Sequence, residues 1–167
     1  MKKQGMVWIS TILYTLISLA VIGLLLAVVQ PKITQIKDSM VIEQTKTSMS
    51  KVDETMLNVK EGAAGMKLYS EFKLGKGSLI ISGKNDSIRW TYQPSYEYSQ
   101  AGRKIQSGDI LMLTEKAGNG YNLTLSMNYD FNLTVDGSDK DKIIQAASLS
   151  YKLWLTNKGT GIDITVE

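Results

Sequence analysis

The chain has 167 residues, a net charge of +3 from 19 basic and 16 acidic side chains, and neither cysteine nor histidine. Those zeros remove disulfides, thiol nucleophiles, Cys/His metal sites and every acid–base mechanism that needs imidazole. The charge is too balanced to point to nucleic acid, and no pair among the remaining carboxylates has an acid–base context, so a non-enzymatic chain without a cofactor is expected.

The first five residues, Met1 to Gly5, form a short basic peptide carrying Lys2 and Lys3. Directly after it, Met6 to Val29 reads MVWISTILYTLISLAVIGLLLAVV, 24 residues with no charge, no proline and one glycine. As a helix this run spans roughly 36 Å, enough to cross a hydrocarbon core of about 30 Å. The lysines before it favour a cytoplasmic N-terminus, and Trp8 suits the membrane interface. The run exceeds the h-region of a cleaved secretory signal, about 7–15 residues. Within it, Ala20, Gly23 and Ala27 share one face at spacings of three and four, a pattern that allows close helix packing. Thr11, Thr15 and Ser18 form a second stripe.

Pro31 lacks a backbone donor, and a kink or a helix restart is expected there. Residues 31–62 then read as an amphipathic continuation. Ile33, Ile36 and Met40, followed by Met49, Val52, Met56 and Val59, recur at helical spacing and predict one narrow apolar stripe. Gly62 and Gly65 are natural stop signals.

From Met66 the period becomes two. Short alternating runs lie at 66–74, 78–82, 88–92 and 110–113, separated by Gly75-Lys76-Gly77, Gly83–Asp86 and the interruption at Pro94. Ala117–Gly120 is a hairpin signal. Residues 121–135 alternate without a break, apolar or aromatic at every odd position and polar at every even one. They predict one long half-buried strand, or two with a bend near Asn128–Asp130. A polar turn at 136–142 follows, then alternating runs at 149–155 and 162–166. Residues 66–167 are therefore expected to hold seven to nine strands. The predicted class is α+β: a long hydrophobic helix followed by an antiparallel β-sandwich or curved sheet.

Three N-x-[ST] sequons begin at Asn85, Asn122 and Asn132, the first in a predicted turn and the others on the polar face of the 121–135 strand. Asp136, Asp139 and Asp141 do not match a calcium loop and read as a solvated turn. Tyr92, Tyr96 and Tyr98 read as strand-edge packing, with an adhesive patch as the alternative.

Lys2-Lys3-Gln4-Gly5, directly before Met6-Val7-Trp8-Ile9, with a retained apolar helix and a β-domain behind it, resembles an archaeal type IV pilin or archaellin-like subunit with a class III signal peptide. The fifth residue after Gly5 is Ser10, where bacterial pilins usually carry Glu. The resemblance implies cleavage between Gly5 and Met6 by a prepilin peptidase. It also implies a precursor in the membrane and self-association into an extracellular filament, built by pilus assembly machinery through the N-terminal helix. It further implies a β-domain of the immunoglobulin-like kind. The alternative is an uncleaved, signal-anchored surface protein whose β-domain binds a ligand. The segments expected are a leader at 1–5, a membrane and filament-core helix at 6–30, its continuation at 31–62, and a β-domain at 66–167.

Overall fold

The computed structural model describes the backbone from residue 3 to residue 167 and the side chains from residue 8. Helix α1 spans Lys3–Glu61, 59 residues, and is followed by ten strands. The chain divides into two compact units, residues 1–37 and residues 38–167.

In the first unit α1 continues through Pro31 rather than restarting there. The missing proline donor leaves the carbonyl four residues earlier without its usual partner. Just beyond, the Thr34 hydroxyl donates to the Gln30 carbonyl at 3.2 Å.

In the second unit, Asp38, Ile42, Thr45, Met49, Val52, Met56 and Val59 are buried at alternating spacings of four and three, forming one face of α1. The expected stripe is therefore half right. Met49, Val52, Met56 and Val59 lie in the core, but Ile33, Ile36 and Met40 are exposed. Two residues of offset turn a helical position by about 200°, so Met40 points away from the face that holds Asp38 and Ile42. The helix ends where Gly62 donates to the Val59 carbonyl at 3.2 Å, and Gly65 takes a positive φ of 91°.

The strands are β1 (Lys67–Phe72), β2 (Ser78–Ser82), β3 (Ser87–Tyr92), β4 (Lys104–Ser107), β5 (Ile110–Ala117), β6 (Gly120–Asn128), β7 (Asn132–Val135), β8 (Asp141–Gln145), β9 (Tyr151–Asn157) and β10 (Gly161–Val166). They form a four-stranded sheet, order β1-β9-β10-β7, and a six-stranded sheet, order β4-β5-β6-β3-β2-β8. Inward residues of both sheets share one hydrophobic cluster with the helix face, with Trp90, Phe72, Leu79, Leu125 and Leu155 among its fully buried members. All pairings are antiparallel except β7 with β10, which is parallel.

The 121–135 alternation proves to be two strands in different sheets. β6 belongs to the six-stranded sheet and β7 to the four-stranded one. Asp86 fixes the crossing: its carbonyl accepts from Tyr129 N at 2.9 Å and its Oδ1 from Leu133 N at 2.8 Å. Lys60 reinforces it, 2.9 Å from Asp130 Oδ1 and 4.1 Å above the Phe131 ring. Two strands lie outside the expected ones: β4, which is almost wholly exposed, and β8, of which only Ile144 is buried. The tight turns of the β4–β5 and β5–β6 hairpins place Gly108 (φ 62°) and Gly118 (φ 59°) at the first central position. A left-handed first residue there suits glycine and matches the twist of the strands.

Candidate membrane and assembly segment

Of the leader and cleavage residues, Lys2 lies outside the described residues. Lys3, Gly5 and Met6 fall in the first turns of α1. The Gly5–Met6 bond is thus helical, in a stretch whose first four N–H groups lack intrahelical acceptors.

From Trp8 to Val29 every side chain is exposed. Trp8 is 75% exposed and Leu24 70%, and the most apolar window of the helix has no buried share at all. By length and composition the segment is able to cross a membrane. Left in water, each Leu, Ile or Val would forgo about 1.5–3 kcal/mol of burial. Ala20, Gly23 and Ala27 are exposed too, and a Cβ built on Gly23 meets nothing within 4 Å. Among the described residues of the first unit, nothing covers these small residues. Thr11, Thr15 and Ser18 border a shallow groove with Tyr14, Leu19 and Ile22, and the Thr15 hydroxyl donates to the Ile12 carbonyl at 2.8 Å.

Within the second unit, three polar clusters hold the helix face against the sheets. Asp38, buried on α1, accepts from the Tyr92 hydroxyl at 2.5 Å, the Ser95 N–H at 2.8 Å and Lys76 Nζ at 3.1 Å. Burial works to raise its carboxyl, but the Tyr92, Ser95 and Lys76 donors outweigh it and bring the pKa down to about 2. Lys76 is raised by its hydrogen bonds to Tyr92 and Asp38. Tyr98 donates to Glu43 one helical turn further on. Burial, with Glu43 beside it, pushes the Tyr98 phenol up. Two of the three tyrosines read as edge packing are thus tied to α1, and Tyr96 stacks edge-on against Tyr98 at 6.2 Å.

The second cluster is Asn157 at the end of β9. Its Nδ2 donates to the carbonyls of Val59 at 2.8 Å, Gly62 at 2.9 Å and Lys60 at 3.3 Å, while its Oδ1 accepts from Gly159 N at 2.7 Å. One amide therefore satisfies carbonyls that every helix C-terminus leaves open. The third is Asp53, 8% exposed on α1. Burial raises its carboxyl, the Tyr129 hydroxyl opposes this, and the Asp109 carboxylate on the β4–β5 turn adds to it. Tyr129 is itself raised, by burial and then by Asp53.

The sequons separate. Asn85 is exposed at the β2–β3 turn, its Nδ2 donating to Ser82 Oγ at 3.2 Å. Asn132 is exposed at the start of β7, and its Thr134 hydroxyl donates to Asp163 Oδ1 at 2.7 Å. Asn122 is half-buried within β6. In the aspartate loop, Asp136 pairs with Lys142 at 2.8 Å and Asp141 accepts from Ser82 Oγ at 2.6 Å.

Neither Asp38 nor Asn157 stands out by spacing or motif. The only signals are one acid among several on the helix and an Asn-Lys-Gly that also reads as a turn. Comparison with protein-family models, with curated proteins and with solved structures finds no match to this chain.

Proposed function

We propose that the chain is a structural, pilin-like subunit. It enters the membrane through α1, is cleaved after Gly5, and polymerises through the same helix into an extracellular filament resembling archaeal type IV pili. Its role is assembly rather than catalysis. The observation that carries this reading is the fully exposed apolar segment from Trp8 to Val29, which needs lipid or neighbouring helices around it. Lipid tails are as apolar as leucine, so exchanging a bilayer for a helical bundle costs little hydrophobic energy and leaves close packing to select the partner. The Ala20, Gly23 and Ala27 face serves that contact. Removing Met1–Gly5 takes Lys2 and Lys3 off the end that must enter the bundle, where an unpaired ammonium costs several kcal/mol.

Mass spectrometry of the chain taken from its own cells tests the reading. The expected N-terminus is Met6, with the chain recovered in sheared surface filaments. Gly5→Val is expected to keep the leader and hold the chain in membranes. Normal filament incorporation of a chain that keeps Lys2 and Lys3 would refute the proposal.

A further inference from the structure

The outer face of the six-stranded sheet carries an open concavity. Two contiguous hollows of about 400 and 490 Å³ share Thr91 and Asn122. Their volumes fall within the range of ligand sites, about 300–1,000 Å³. The surface is mostly neutral and hydrogen-bonding. Across it, strand pairing sets Thr124 beside Thr91 and Thr91 beside Ser78, with Gln145 next on β8. On the other side Leu113 flanks Thr124, with Lys104 beyond it on the edge strand. Hydroxyls and amides in rows, bordered by a few aliphatic side chains, suit a polyhydroxylated partner. Sugar hydroxyls both donate and accept, and a pyranose also presents an apolar C–H face.

One residue on this face belongs to an acceptor motif for such a sugar. Asn122 opens the sequon Asn122-Leu123-Thr124, and the strand period places both the asparagine and the threonine on the outer face. Asn85, by contrast, spends its amide on Ser82, and Asn132 borders neither hollow. We propose that Asn122 is N-glycosylated and that its glycan lies along this polar trough. The inference rests on the extracellular placement proposed above, since the donor belongs to an export pathway. In the transfer, Asn122 Nδ2 attacks the anomeric carbon of a lipid-phosphate-linked oligosaccharide. The N–C1 bond forms as the C1–O bond to phosphate breaks, the amide gives up one proton, and the lipid phosphate leaves. Because Asn122 is half-buried and paired with Glu115 on β5, the transfer precedes closure of the sheet.

Peptide mapping of the chain from its own cells tests both parts. The peptide containing Asn122 is expected to carry a glycan mass that Asn122→Gln and Thr124→Val both abolish and that Thr124→Ser retains. Valine keeps the β-branched shape the strand favours, so loss of the glycan there is separable from loss of the fold. In the glycosylated protein, an amine-reactive label should modify Lys104 several-fold more slowly than in Asn122→Gln, with the exposed Lys158 in the β9–β10 turn as the unchanged reference. A bare Asn122 in exported chain that begins at Met6 overturns the inference and leaves the filament reading intact. A glycan on Asn122 with equal Lys104 labelling in both proteins overturns its placement in the trough. The N-terminal peptide in the same map reports on the filament reading separately.

Discussion

Asp38→Asn probes how the sheets are held to α1. The carboxylate is only 3% exposed and accepts three donors, one of them a cation. Its folded pKa is about 2, against 3.8 for an ordinary aspartate. At 1.36 kcal/mol per unit, the shift corresponds to about 2 kcal/mol of stability carried by the charged form. The folded value lies below the unfolded one, so this contribution is complete above about pH 4 and is lost as the pH falls through 2. Asparagine keeps the shape and one acceptor but not the charge. The variant should therefore be less stable by about 2 kcal/mol at pH 7, and the gap should nearly close by pH 2. Urea unfolding of the full chain in mild detergent measures this, followed by tryptophan fluorescence. Trp90 is a suitable reporter because its Nε1 donates to the Lys76 carbonyl at 2.9 Å. A gap under about 0.5 kcal/mol at pH 7, or one that does not change with pH, would refute the reasoning.

Asn157→Ala takes this donor from the Lys60 and Gly62 carbonyls, leaves Val59 only its bond from Gly62 N–H, and should cost about 2 kcal/mol, with faster hydrogen exchange in the last turn of α1. An unchanged melting temperature would sink that account. Asp53→Asn should act in the opposite sense. The folded pKa of Asp53 is raised by burial, so its charge opposes folding above the unfolded value, and the variant should be more stable than the parent at pH 7 and lose that advantage in acid. A lower melting temperature at pH 7 would count against it. Ser70 Oγ is buried with no hydrogen-bond partner, so Ser70→Ala should be neutral or stabilising by about 1 kcal/mol, and thermal unfolding that shows a clear loss would contradict this.

What could be read in advance followed the strength of the periodic signal. The odd residues of 121–135 that lie within β6 and β7 point inward, apart from Tyr121, which is half-buried. Their alternation could not show the change of sheet, because an inward residue stays inward when both sheets face one core. β4 and β8 escaped notice because edge strands bury too little to impose a pattern: Lys104, Ile105 and Gln106 are all exposed. Along α1, Asp38 and Thr45 hold core positions that a hydrophobic template skips, so apolar spacing alone points to Ile33, Ile36 and Met40 instead. The apolar segment was legible in full, since length and composition alone define it. Ala20, Gly23 and Ala27 are exposed on it, and the polar clusters of the second unit are not foreseeable from spacing.

The Asn157 clamp also bears on the order in which the protein can be made. Val59 and Asn157 are 98 positions apart. A ribosome delivering about 5–20 residues per second leaves the end of α1 waiting for several seconds before β9 exists to meet it. Through that interval Met49, Val52, Met56 and Val59 have no sheet to cover them, and the long loop that must close makes this a slow-folding topology. A nascent chain of this kind is exposed to aggregation and to holdase chaperones until its last strands arrive. Truncations that remove β9 and β10 should therefore behave like the unfinished chain rather than like a smaller stable domain.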